Sequence, residues 1–123
     1  MGQNRILLVE DSEDWQKLLV KIFERWGFVV TLAKSIEEAE TCFMDKMEFD
    51  IVIMDGCLNS NDVLNSLPLI QKIRNEFGYS GLMIASSGSL GYVRLMVKAG
   101  CDEGVLKSSL TDRIRELKTG VDE

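Results

Sequence analysis

Short apolar runs alternate with segments of helical spacing along this chain, and that alternation limits the possible folds more than any other feature. Ile6-Leu7-Leu8-Val9 is an unbroken apolar run, the pattern of a strand buried on both faces. Trp15, Leu18, Leu19, Ile22, Phe23 and Trp26 then recur at helical spacing, and Gly27 stops that helix. Residues 28–32 are rich in β-branched and aromatic side chains and predict a second strand. Ser35 with Glu38 reads as a capping box, opening a helix whose apolar face is Ile36, Ala39, Phe43 and Met47. Residues 51–54 (Ile-Val-Ile-Met) form the clearest strand, and residues 56–66, aperiodic and rich in Asn, Ser and Asp, predict a loop. Pro68 suits the first turn of a helix running to about Phe77, with Leu67, Ile70, Ile73 and Phe77 inward. A fourth strand is predicted at residues 81–85, and a helix marked by Val93, Met96 and Val97 ends at Gly100. Val105-Leu106 predicts a short fifth strand; Ser108 or Ser109 then caps a last helix with Leu110, Ile114, Leu117 and Val121 inward. Five strands alternating with five helices imply an α/β fold, a parallel sheet with helices on both faces. Right-handed crossovers leave few ways to wind it.

The chain has 123 residues, enough for one domain with its own core. With no repeat and no low-complexity tract, residues 1–123 read as a single domain in which 120–123 follow the last helix. Composition narrows the chemistry further. The chain carries no histidine, which excludes Ser-His-Asp and Cys-His nucleophile systems, imidazole metal ligands and a phosphohistidine on this chain. The net charge of -6 argues against direct nucleic-acid binding, which needs a basic footprint. Acids without histidine still suit a hard cation such as Mg²⁺, or a carboxylate nucleophile. Cys42, Cys57 and Cys101 are widely spaced and odd in number, which is neither a disulfide nor a zinc framework but small apolar residues in a reducing compartment. The apolar run after the N-terminus is too short for a signal peptide or a membrane span, so a cytoplasmic protein is expected.

In an open α/β sheet, ligands bind beyond the carboxyl ends of the strands. At those ends stand Glu10-Asp11 after the first strand, Asp55 after the third, Ser86-Ser87 after the fourth and Lys107 after the fifth. Singly, each has an ordinary reading: a cap, a turn, a hydroxyl bonded to nearby backbone, an exposed lysine. Together, at four strand ends, they fit phosphoryl transfer. Crowded carboxylates favour a bound cation. A carboxylate relieved of repulsion can attack phosphorus, and the charge on the phosphoryl oxygens calls for a point cation and a hydroxyl donor.

These residues carry a resemblance. Leu7-Leu8-Val9-Glu10-Asp11, Asp50-Ile51-Val52-Ile53-Met54-Asp55, Met83-Ile84-Ala85-Ser86, and Lys98-Ala99-Gly100-Cys101-Asp102 leading to Lys107 are similar, in order and spacing, to the receiver domain of two-component response regulators, of the chemotaxis-regulator kind. The resemblance covers nearly the whole chain. It implies a flavodoxin-like three-layer sandwich whose five parallel strands run in the order 2-1-3-4-5. It also implies that Asp55 accepts phosphate from a histidine on a sensor histidine kinase or a histidine phosphotransfer protein, the histidine this chain lacks. On the same footing, Asp11 holds Mg²⁺ directly and Glu10 through water, while Asp55 and the backbone carbonyl of Cys57 are further ligands. Lys107 pairs with a phosphoryl oxygen and Ser86 bonds another in the switched state. If the chain ends at Glu123 the output is contact with a downstream protein, and if it continues the effector could be DNA-binding or enzymatic; a homodimer is compatible with either. The domain is a phosphoacceptor, not a conventional enzyme.

The sequence departs from the family pattern in several places. Ser108 follows Lys107 where the family usually has a cis proline; a cis bond before serine costs about 2.5–4 kcal/mol. Gly104 stands where an aromatic switch residue is usual, so no ring can swing in behind Ser86. Asn59 replaces a proline four residues after Asp55 in a longer loop, read here as a drifted surface loop, and Ser87 replaces a small alanine. Cys57 and Gly88, at positions that tune dephosphorylation in the family, do not readily place an attacking water, so slow loss of phosphate is expected. Two rivals remain. One is an unphosphorylated pseudo-receiver that only binds a protein partner, favoured by Gly104 and Ser108. The other is a flavin or nucleotide binder, which lacks its glycine fingerprint.

Overall fold

The computed structural model describes residues 4–59 and 63–121, with side chains described as far as Lys118. Its five strands are β1 (Arg5–Val9), β2 (Val29–Ala33), β3 (Ile51–Asp55), β4 (Leu82–Ser87) and β5 (Glu103–Leu106). The helices are α1 (Glu13–Arg25), α2 (Ile36–Met44), α3 (Leu67–Asn75), α4 (Leu90–Ala99) and α5 (Leu110–Val121). The strands are all parallel and lie in the order β2-β1-β3-β4-β5, the expected flavodoxin-like winding.

The apolar runs become central strands because each must bury both faces. Leu7, Val9, Val52, Met54, Met83 and Ala85 point to one side and pack with Ala39, Leu69, Ile70, Ile73, Val93 and Met96 from α2, α3 and α4. Ile6, Leu8, Ile51, Ile53 and Ile84 point to the other and pack with Leu19, Phe23, Leu110 and Ile114 from α1 and α5. The two-residue period of the strands thus builds two cores from one sheet.

Local signals set the helix ends. Ser12 Oγ accepts from Trp15 N at 3.5 Å, Ser35 Oγ from Glu38 N at 3.1 Å and Ser89 Oγ from Tyr92 N at 3.2 Å. Glu38 completes the second cap one residue further back than a standard box, its Oε1 accepting from Lys34 N at 2.7 Å. Gly27 (φ 96) and Gly100 (φ 148) close α1 and α4 in conformations that favour glycine.

Several sequence expectations are corrected. α2 ends at Met44, and Lys46 at φ 60 turns the chain, so Met47 lies outside the helix and is exposed. α3 ends at Asn75, leaving half-buried Phe77 past its end in a cluster with Phe43. Leu18 is exposed on α1. Ser108 and Ser109 do not cap the last helix; they form a 3₁₀ turn with Lys107 that runs into α5. α5 continues through Val121, so 120 and 121 belong to it; the inward orientation expected for Val121 and the placement of residues 122 and 123 lie outside what is described. β5 starts at Glu103 and includes Gly104, while β4 continues through Ser86 and Ser87.

Candidate functional site at the carboxyl edge of the sheet

Each candidate residue sits where a strand releases the chain. Glu10 leaves β1 with its N–H still bonded to Ala33 O at 3.0 Å, which holds the turn next to β2. Gln16, buried on α1, donates from Nε2 to Glu10 O at 2.7 Å and ties that turn to the helix. Asp55 is the last residue of β3 and faces Ser86 across the β3–β4 ladder. Lys107 opens the 3₁₀ turn after β5.

The strand ends bring three carboxylates together. Ligand-capable oxygens of Glu10, Asp11 and Asp55 all lie within 4.8 Å of one another. Glu10 and Asp55 are buried; Asp11 is half-buried. Lys107 Nζ bridges two of them, 3.1 Å from Glu10 Oε1 and 3.2 Å from Asp55 Oδ1. The remaining polar valences are partly met by backbone: Ser12 N donates to Glu10 Oε2 at 3.1 Å and Gly56 N to Asp55 Oδ1 at 2.9 Å.

Burial, and then the charge of Glu10, push the Asp55 carboxyl up to about 7, with Lys107 opposing. Burial pulls the Lys107 ammonium down, but Asp55 and Glu10 outweigh it and raise it above its ordinary value. A strained acidic cluster of hard oxygens beside one ammonium suits a small divalent cation, which takes carboxylate ligands while keeping several waters. The donor set of Glu10, Asp11 and Asp55 therefore fits Mg²⁺.

Ser86 Oγ is buried with no hydrogen-bond partner among the described residues. Such an orphan hydroxyl costs about 1–3 kcal/mol of desolvation, so it calls for an explanation. It stands opposite Asp55 in the β3–β4 register. Ser87 Oγ instead accepts from Ser89 N at 3.1 Å and shapes the start of α4.

The Lys107–Ser108 peptide is trans, since the described residues contain no cis bond, and Lys107 still reaches Asp55. At Gly104 a Cβ would lie 2.3 Å from Val93 Cγ1, so Val93 of α4 fills the place a side chain would take.

The described residues of the loop after Asp55 make specific contacts. Half-buried Cys57 precedes fully buried Leu58. Asn65 grips Leu58 by both backbone groups, accepting from its N–H at 2.7 Å and donating to its carbonyl at 2.8 Å. Asn59, at φ 60, accepts from Ile36 N at 3.0 Å and so caps α2 from another loop. Sequence reading missed Gln16 and Asn65, and took Asn59 only for a lost proline. The one available signal was a polar Gln16 beside the apolar stripe of α1. A shallow cleft of about 790 Å³ lined by Phe43, Phe49, Phe77 and Tyr79 lies at the opposite edge of the sheet and holds none of the candidate residues.

Fold and site together define a flavodoxin-like α/β domain with an acidic, cation-suited site at its carboxyl edge. The chain belongs to the response regulator receiver domain family, whose model matches residues 6–118. It is similar to the two-component response regulator EHD1 of Oryza sativa subsp. indica, 27% identical over 114 residues that cover 92% of this chain and 32% of that protein. The chain thus spans about a third of that relative. The fold is shared with a two-component response regulator from Clostridium difficile (TM-score 0.81, 19% identity, 98% of each chain). It is also similar to a response regulator protein from Thermotoga maritima in complex with Mg(2+)-BeF (TM-score 0.76, 25% identity, 94% of this chain and 99% of that one). Family membership makes this a receiver domain of two-component response regulators. No described helix is long and apolar enough to cross a membrane.

Proposed function

We propose that this domain accepts a phosphoryl group on Asp55 from a phosphohistidine of a kinase or phosphotransfer protein, and that the modified domain changes its protein contacts. The observation that carries the reading is the convergence of Glu10, Asp11 and Asp55 around Lys107, with the unpartnered Ser86 hydroxyl opposite Asp55.

An Asp55 carboxylate oxygen attacks phosphorus. The O–P bond forms as the P–N bond to the donor imidazole breaks, and the electron pair leaves with that nitrogen. Glu10, Asp11, Asp55 and the carbonyl of Cys57 are the residues that would hold Mg²⁺, which when bound screens the carboxylates and the phosphoryl oxygens. Lys107 offsets the charge carried by the transferred group, and Ser86 donates its O–H to one of the new oxygens. The Cys57 thiol is only a weak hydrogen-bonding group and Gly88 has no side chain, so neither readily positions a hydrolytic water and phosphate is lost slowly.

The test is mass measurement after incubation with a small phosphodonor and Mg²⁺, beside Asp55→Asn. One phosphate on the wild type alone is expected. A wild type that takes no phosphate and has no Mg²⁺ affinity is a pseudo-receiver acting only through protein contacts, a reading that Gly104 favours because Val93 fills the space over it where a switch side chain would sit. The same proposal treats residues 1–123 as one cytoplasmic domain whose output is a protein partner, a second copy included, rather than nucleic acid.

A further inference from the structure

Lys107 must put its ammonium in one place, yet little in its own segment fixes it. Lysine is a point charge on a flexible stem. The peptide after it is an ordinary trans bond leading into a 3₁₀ turn. Its two carboxylate partners are also the groups whose charge changes most if Asp55 is phosphorylated and a cation binds Glu10. A third contact does not change: Lys107 Nζ lies over the ring of Trp15, 5.5 Å from its centroid. Indole is the best of the aromatic faces for holding a cation, and it stays neutral throughout.

Trp15 is itself well anchored. It sits in the first turn of α1, its N–H bonded to the Ser12 cap, and its half-buried ring packs against the core beneath α1 and α5. The other cation–ring pairs, Lys72 with Phe77, Arg74 with Tyr79 and Arg115 with Trp26, involve none of the candidate site residues.

We infer that Trp15 is a positioning residue for Lys107, holding the ammonium beside Asp55 while the carboxylates around it are neutralised. This rests on the proposed phosphoacceptor role of Asp55 for its consequence, but not for the contact itself.

The test compares wild type, Trp15→Leu, Trp15→Phe and, as an equal truncation away from the site, Trp26→Leu. The first readout is the proton NMR shift of the Lys107 side chain, taken without any phosphodonor. The ring face moves these signals upfield in the wild type and in Trp15→Phe, and Trp15→Leu returns them to exposed-lysine values. The second readout is phosphorylation rate by a small phosphodonor at saturating Mg²⁺, with Mg²⁺ affinity measured separately. Trp15→Leu is expected to slow the reaction about fivefold to tenfold, a loss appropriate to one partly desolvated cation–ring contact. Its Mg²⁺ affinity should stay within about twofold of wild type, since no metal ligand is altered. Trp15→Phe should recover most of the rate and Trp26→Leu should keep it. An unshifted Lys107 in the wild type overturns the inference, as does a Trp15→Leu rate equal to wild type or a Trp26→Leu rate equally slowed. A wild type that takes no phosphate overturns the phosphoacceptor reading instead, and the shift alone then decides whether Trp15 holds Lys107.

Discussion

Asp55 burdens the metal-free protein at the pH where it would work. Its folded-state value of about 7 stands above the ordinary 3.8, so the folded state keeps a proton that the unfolded chain releases. Stability therefore falls as pH rises between those values, by about 1.4 kcal/mol per pH unit, and above the folded value the loss is complete. Without divalent ions, Asp55→Asn should melt higher than wild type at about pH 8, with the gain shrinking as pH falls through about 7 and gone below about pH 4. Thermal unfolding across that range checks it, and a gain that does not vary with pH contradicts it. Ser86→Ala should leave the Tm unchanged or raise it by the equivalent of about 1 kcal/mol, because the hydroxyl it removes is buried and unpartnered. A marked fall would mean the hydroxyl has a partner in the resting protein. The five charged and hydroxyl candidates were legible because the apolar runs locate strand ends, and a polar residue directly after a run has only one edge to occupy. Gln16, Asn65 and the contact of Trp15 with Lys107 were not, because each acts on a partner in another element and nothing in its own neighbours marks it.

At the scale of elements, α4 rests directly on β5. A methyl group at Gly104 would press on Val93 Cγ1 at 2.3 Å, and would also crowd Val97 and Ala85. Gly104→Ala should destabilise the domain by about 1–3 kcal/mol through overpacking, and Val93→Ala in the same background should recover much of it. Urea unfolding of the four proteins of that cycle measures the coupling; strict additivity would show that α4 does not bear on β5 there. Element identity was legible because period and length separated strands from helices. Element ends were not. β4 and β5 continue through Ser86, Ser87, Glu103 and Gly104, residues of low strand preference held in place by pairing with neighbours. α2 stops early because Lys46 turns the chain at φ 60, a conformation no composition rule demands of lysine.

The molecule as a whole separates what holds it together from what it does. Two apolar layers flank the sheet, and the candidate carboxylates gather at one edge, where their repulsion opposes the stability those layers supply. A cation bound only by the folded state stabilises by mass action, about 2.7 kcal/mol at a hundred times its Kd. Mg²⁺ should therefore raise the Tm of the wild type, and do so much less for Asp11→Asn. Calorimetry with and without the ion checks this; an equal rise in both would place the binding elsewhere. The Asn65 grip on Leu58 has a consequence of another kind. Two bonds hold Leu58 and Asn65 together, so the entropic cost of changing the length of chain between them grows only slowly. Foreign sequence grafted between Asn59 and Leu64, which keeps the Asn59 cap and the Leu64 packing, should leave the acidic edge intact, so lineages could lengthen or shorten this segment, and engineers could load it, without retuning the chemistry next door.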